Sequence, residues 1–491
     1  MELKHFLWEY FPTEKFRILR SNVGAEFTGI RLWRGTGYRI HFELTGQFDQ
    51  DADFDSNPLL QAQKIGNESI FAAWVIAATE GSLQRLAVNG FHFQSEAHSP
   101  QDGNKLLITF KGEITGRLKF KVGRREKPAY IMYWFLNAPD FAYTRSQSTE
   151  LTHSLDYSVT GVLNQAIVRP GPSRASRSAI LFEVNGKSIL AGTVPPDITG
   201  NQSGLFLRVN AIDALSDKEI ETIRDIFAFC AAQEILPIGR TAFNSVSSPI
   251  WTKAKSTYRD DLSFLKFSGR MPLPLSFSEQ SRIDPEQVLT DLISQSMTLN
   301  FPLHKILWLI RASWQLPLDL KLQPLATAFD IIRTAWFKSS QSVSRGRNFP
   351  DERYAEIIEK FLPQIHSELG ENSDNGILRK IRHANEMSLE QKTKVLFAEL
   401  GLTLGPLEGR ALAERHKAVH GTDKLPDYQA LLSHLRTFEC MLNRIILRLL
   451  NYPIYSDRTS YGNPLRAIAE PPQGEESPLE KIMRTIRSQQ S

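Results

Sequence analysis

The chain has 491 residues, a length that implies two or three domains rather than one core. Its hydrophobic content of 41% and charged content of 23% are those of a globular protein and exclude a disordered, low-complexity chain. Lys and Arg number 58 against 54 Asp and Glu, so a broadly basic nucleic-acid coat is excluded and any polyanion must be met by a local patch.

The first residues, MELKHFLWEYFPTEKF, carry acids and no long apolar run, unlike a signal peptide. No stretch approaches roughly eighteen uncharged apolar residues, and the longest candidate, FPLHKILWLIRASWQL, is interrupted by His304, Lys305 and Arg311. Cys230 and Cys440 sit in apolar helical runs far apart in sequence, which predicts buried free thiols and a cytoplasmic location. No membrane partner is expected.

Residues 1–210 read as a β-rich domain. GYRIHFEL alternates, with Tyr38, Ile40, Phe42 and Leu44 on one face, and KLLITFKGEI, GRLKFKVG and the aromatic PAYIMYWFLN follow as short runs between turn residues. Asn89-Gly90 and Asn185-Gly186 are hairpin signals. Many short strands predict an antiparallel sandwich or barrel; NESIFAAWVIAATEGSLQRLAV fits either a helix or a buried strand. YIMYWFL, apolar and uncharged, is expected as sheet core rather than as a base-stacking surface.

Residues 211–280 read as a helix followed by a linker. Ser216 and Glu219 form a capping box before Ile220, Ile223, Ile226 and Phe227, while prolines 272, 274 and 285 mark the linker and place a domain boundary near 275. From 281 to 455 the chain is expected to be helical. Asp284, Pro285 and Gln287 open a helix, and others are predicted around 303–315, 322–338, 353–369, 388–400 and 406–420. A closing helix carries Leu431, Leu432, Leu435, Phe438, Leu442, Ile445, Ile446 and Leu449 at spacings of three and four. Residues 456–491, with AEPPQGEESPLE, read as a flexible tail ending in a short basic helix. The fold class is therefore α+β multidomain.

One stretch of the helical region concentrates chemistry. ALAERHKAVHGTDK gathers Arg415, His416, Lys417 and His420 before Gly421 ends the helix, although Lys and Arg in 281–455 barely exceed Asp and Glu, 22 against 20. Arginine, four residues, then histidine is a weak pattern alone; with a looser gap it also occurs at Arg410 to His416 and at Arg85 to His92. The last crosses an Asn-Gly turn. The chemistry of Arg415 and His420 suits RNA cleavage, because an imidazole titrates near neutrality and a guanidinium grips phosphate oxygens bidentately. His416 and His420, at i and i+4, also have zinc-ligand spacing, without the glutamate of HExxH or a third ligand in view. A plain basic helix end favoured by the macrodipole accounts for each residue singly.

The placement of RHKAVHG at a helix end, before a long closing helix that runs into LLNYPIYSDR, resembles the HEPN ribonucleases, and among them the ApeA-type phage-defence proteins. The resemblance covers about residues 320–455. It implies a HEPN-type bundle acting as a metal-independent endoribonuclease in abortive infection. Arg415 and His420 would be catalytic, with His416 at the family's polar position, often Asn. Lys417 and Lys424 are candidate RNA contacts, and no cofactor is expected. The resemblance also implies a homodimer joining two such helix ends in one cleft, a β domain that senses a phage-derived trigger or restrains the nuclease, and RNA, with transfer RNA the family-level guess, as substrate. A binding protein whose helical half only dimerises is the alternative.

Two further basic groups read as solvated surface: Lys338, Arg345 and Arg347 in FKSSQSVSRGRNFPDE, and Arg436, Arg444 and Arg448 along the closing helix. Asp330 and Glu386 are left unassigned.

Overall fold

The structure, a computed structural model, describes residues 16–21, 27–34, 39–49, 72–79, 82–89, 91–101, 105–114, 117–122, 126–138, 149–151, 157–159, 166–168, 179–194, 204–255, 263–275, 283–339, 341–369, 380–381, 384–420 and 428–475. Of those within 72–101, 149–168 and 415–420 it describes the backbone alone.

The chain separates into two compact units, Met1–Phe267 with Leu275–Thr290, and Ser268–Pro274 with Asp291–Ser491. The first is an antiparallel β structure. Its strands are β1 (Phe16–Ser21), β2 (Phe27–Arg34), β3 (Ile40–Asp49), β4 (Ala72–Thr79), β5 (Ser82–Asn89), β6 (Phe91–Gln101), β7 (Lys105–Ile114), β8 (Arg117–Val122), β9 (Tyr130–Leu136), β10 (Thr149–Leu151), β11 (Tyr157–Val159), β12 (Ala166–Val168), β13 (Ala179–Val184), β14 (Lys187–Val194), β15 (Gly204–Asn210), β16 (Leu236–Phe243) and β17 (Pro249–Lys255). Fourteen pair in the order β13-β14-β15-β9-β16-β17-β8-β5-β4-β1-β2-β3-β7-β6, and β10-β11-β12 form a small sheet.

The alternation in β3 buries Ile40, Phe42 and Leu44 as a period of two requires. β9 is buried at every position because it pairs with β15 and β16 on its two edges and is covered on both faces. Met132, Trp134 and Leu136 pack with Leu190, Phe206, Ile238 and Phe243. Tyr133 exchanges hydrogen bonds with Leu215, 2.9 and 3.2 Å, at the entry to α1 (Asp217–Ala231). The predicted Ser216–Glu219 capping box is present, and Phe227 of α1 meets Phe182 at 5.6 Å.

Turn chemistry decides one hairpin and not the other. Asn185 and Gly186, with φ of 51° and 74°, join β13 to β14 through two left-handed residues. β5 and β6 flank Asn89-Gly90 but are not neighbours; β5 lies between β4 and β8, and β6 pairs with β7. Partner choice in a sheet follows burial of the whole strand, which two turn residues do not override. The run open between helix and strand is a hairpin, β4 pairing with β5 from Ala72↔Asn89 to Thr79↔Ser82.

The region 211–280 differs from the expected helix and linker. After α1 it supplies β16 and β17, which lie inside the sheet. Residues 268–274 form neither helix nor strand, as their prolines demand, yet they are pinned in the second unit: the carbonyls of Arg270, Met271 and Pro272 accept from Asn443 Nδ2 (3.2 Å), Arg458 Nε (2.9 Å) and Ser456 N (2.8 Å).

The second unit is helical: α2 (Pro285–Thr298), whose first turns belong to the other unit, then α3 (Leu303–Trp314), α4 (Leu322–Lys338), α5 (Asp351–Leu369), α6 (Leu389–Glu399), α7 (Pro406–His420) and α8 (Tyr428–Leu449). The Asp284 carboxylate caps α2 by accepting from Glu286 N at 3.0 Å. α4 packs against α3, α6, α7 and α8, burying Leu325, Phe329 and Ile332 with Phe438, Leu442 and Ile445 in the shared core. Phe329 and Phe438 meet edge to face at 6.1 Å.

Residues 456–475, expected as flexible tail, are built into this unit. β18 (Ile454–Ser456) pairs with β19 (Leu465–Ala467), and the fully buried Asp457 carboxylate accepts from Thr459, Ser460 Oγ (2.7 Å), Arg466 Nε (2.7 Å) and Gln473 N (3.0 Å). One buried charge saturated with donors holds a polar segment that an apolar pattern does not mark. Residues 476–491, with the expected basic helix, lie outside the described residues. Cys230 and Cys440 are buried free thiols, and burial pushes the Cys440 thiol up to about 12. Among the described residues no helix is long and apolar enough to cross a membrane.

Candidate active site

α7 begins at a designed stop. Pro406 takes the first helical position, and Glu408, two residues on, reaches back to accept from Gly405 N at 2.9 Å. Glu408 is fully buried and also receives Arg444 Nη1 of α8 at 2.6 Å. Arg444 is fully buried as well, its Nη2 donating to Thr403 O at 2.7 Å, and Arg448 Nε donates to Leu400 O at 2.6 Å. Of the three arginines read as a solvent face, only Arg436 is exposed. The other two satisfy the carbonyls of Leu400, where α6 ends, and of Thr403, in the loop that leads to α7, and so tie α8 to the segment between α6 and α7. Burial raises the carboxyl of Glu408 above its ordinary range, and Arg444 opposes that shift.

From this anchored start α7 runs unbroken to His420, so Arg415, His416, Lys417 and His420 all occupy its final turns. Their side chains lie outside the described residues, as do Gly421 and Lys424 altogether. At about 100° per residue, Arg415 and His420 stand roughly 140° apart, whereas His416 and His420 stand roughly 40° apart. The two histidine positions continue the helical stripe of Gly409 and Ala413. Of the rival matches, Arg85 and His92 fall on β5 and β6, two strands that do not adjoin, so that pair carries no helical motif. Arg410 is exposed on α7 itself.

The basic loop after α4 is fixed rather than solvated throughout. The Glu399 carboxylate accepts from Trp336 Nε1 (2.6 Å), Ser342 Oγ (2.9 Å) and Ser344 N (2.9 Å). Burial alone would raise Glu399; these donors outweigh it and hold the group below its ordinary value. Arg347 pairs with Glu386 (3.3 Å) and Asp351 (3.4 Å), and Asp330 pairs with Arg333 (2.7 Å). Glu386 and Asp330 are thus structural partners of arginines.

The stripe of Gly409 and Ala413 lines a cleft of about 410 Å³ between α4, α6 and α7. Arg333 and Thr393 lie in its wall with Lys394, Leu404 and Leu412. The one local mark of this cleft in the sequence is a glycine inside a helix, Gly409; its walls come from elements far apart in the chain. In the first unit a smaller cavity of about 140 Å³ between α1 and the sheet is lined by Tyr133, Arg224, Arg240 and Lys253 with Asp217 and Glu221.

Comparison of the chain with protein-family models, with curated proteins and with solved structures finds no match.

Proposed function

We propose that this chain is a metal-independent endoribonuclease of HEPN type that acts in the cytoplasm in anti-phage defence. The observation that carries the reading is the position of Arg415 and His420: both lie in the last turns of a helix tied at its other end to the long closing helix by Glu408 and Arg444. RNA carries its own nucleophile. The 2′-oxygen attacks the adjacent phosphorus and loses its proton to a base, the bond to the 5′-oxygen breaks, and that oxygen takes a proton from an acid. The products are a 2′,3′-cyclic phosphate and a 5′-hydroxyl. His420 serves proton transfer, Arg415 neutralises the phosphorane, His416 supports them, and Lys417 and Lys424 hold the strand. Two copies joined at these helix ends supply both the acid and the base. The β unit senses the phage-derived trigger, and transfer RNA is the substrate to examine first.

The test is incubation of the purified protein with total RNA in EDTA. Wild type should cleave, and His420→Ala and Arg415→Ala should each lose about 10²–10⁴-fold in rate. Cleavage that is absent, or equal in all three proteins, favours a binding protein whose helical unit only dimerises.

A further inference from the structure

Gly409 is the fourth residue of α7, within a regular helix, where glycine costs about 1 kcal/mol relative to alanine. No backbone strain asks for it, since it is not among the residues with positive φ. Packing does not ask for it either, because a Cβ built there meets no described atom within 4 Å. What the missing side chain keeps is space in the cleft between α4, α6 and α7, and the volume of about 410 Å³ falls within the ~300–1,000 Å³ of small-ligand sites.

The chemistry around that space is that of a nucleotide. Leu404, Leu412 and the bare backbone at Gly409 offer an apolar wall for a flat ring. Facing it is Arg333, 7% exposed, which donates to Asp330 at 2.7 Å through Nη2. Its Nη1 lies 3.4 Å from Leu389 O and 3.5 Å from Thr393 Oγ1, both residues of the cleft lining, which places the guanidinium charge at the cleft wall where a phosphate would be attracted. On the rim, Lys394 pairs with Glu390 at 2.7 Å in an exposed ion pair, the kind that exchanges partners at little cost.

We propose that this cleft binds one nucleotide of an RNA strand, the ring against Gly409 and Leu412 and the phosphate between Arg333 and Lys394. The strand assignment rests on the nuclease reading above; the nucleotide site does not. Gly409 and Ala413 share their stripe with the positions of His416 and His420, and His416 lies two turns, about 10 Å, further along the axis. A strand seated in the cleft therefore runs along α7 toward the proposed cleavage centre.

The experiment measures binding of adenosine 5′-monophosphate and of a 2′-O-methyl oligoribonucleotide, which lacks the nucleophile, to the full chain. The variants are Gly409→Leu and Lys394→Glu. Wild type should bind both probes, and each variant should weaken both by at least about tenfold. Gly409→Leu should keep or raise Tm, because leucine favours a helix over glycine. The site is overturned if wild type does not bind the mononucleotide, if Gly409→Leu binds it as tightly, or if that variant unfolds, which would mean the space is not there. Loss of the mononucleotide with unchanged oligonucleotide binding overturns the strand assignment. Because neither probe is cleaved, a chain that binds both normally yet cleaves no RNA sinks the nuclease reading and leaves the cleft standing.

Discussion

At the scale of single residues, the pair Arg444–Glu408 decides whether α7 keeps its place. Both side chains are fully buried at 2.6 Å, so removing one strands the other in a medium that solvates charge poorly. Arg444→Met is expected to cost about 3–5 kcal/mol in denaturant unfolding, and the double variant Arg444→Met/Glu408→Gln to regain part of it. A loss in the double variant equal to the sum of the losses in Arg444→Met and Glu408→Gln would mean that the pair is not coupled. The pair was not legible in the sequence, where Arg444 and Arg448 have the spacing of a solvated face. Their partners lie on other elements, 36 residues away for Glu408 and 48 for Leu400, and no local pattern encodes such a match. Ser216–Glu219 and Asn185-Gly186 were legible, because each bond or turn closes within three residues.

At the scale of elements, the hairpin of β18 and β19 is held by the Asp457 carboxylate. Burial alone would raise its pKa; the donors from Gln473, Thr459, Ser460 and Arg466 outweigh that and depress it. A carboxyl depressed in the folded state contributes stability above its ordinary titration range, and that stability is lost as pH falls through the range toward the folded value. The denaturant midpoint of the helical unit should therefore drop below about pH 4, and Asp457→Asn should be less stable at neutral pH with a flatter acid limb. An acid limb of unchanged steepness in Asp457→Asn would remove the carboxylate from this role. The helices from α3 to α8 were legible within a few residues because apolar periodicity and caps are local. The hairpin was not, because its order comes from polar groups around one charge within a proline-rich sequence.

At the scale of the whole molecule, the chain crosses between its two units three times, after Phe267, Pro274 and Thr290. A fragment beginning at 275 lacks the carbonyls of Arg270, Met271 and Pro272 that receive Asn443, Arg458 and Ser456. We expect residues 268–491 to give a higher Tm and more soluble protein than residues 275–491; equal behaviour of the two would show that these contacts contribute little. The boundary near 275 was read from prolines, which mark where regular structure stops and not where a segment packs.

By itself the sequence determined the order of β and helical halves, the ends of most helices, and the gathering of Arg415, His416 and His420 near one helix end, since periodicity, capping and spacing act over a few residues. Only the tertiary structure decided which strands adjoin, which arginines are buried, that 456–475 is ordered, and that Gly409 faces a cleft. Those outcomes depend on groups far apart in the chain whose desolvation is compensated only when the fold brings their partners to them.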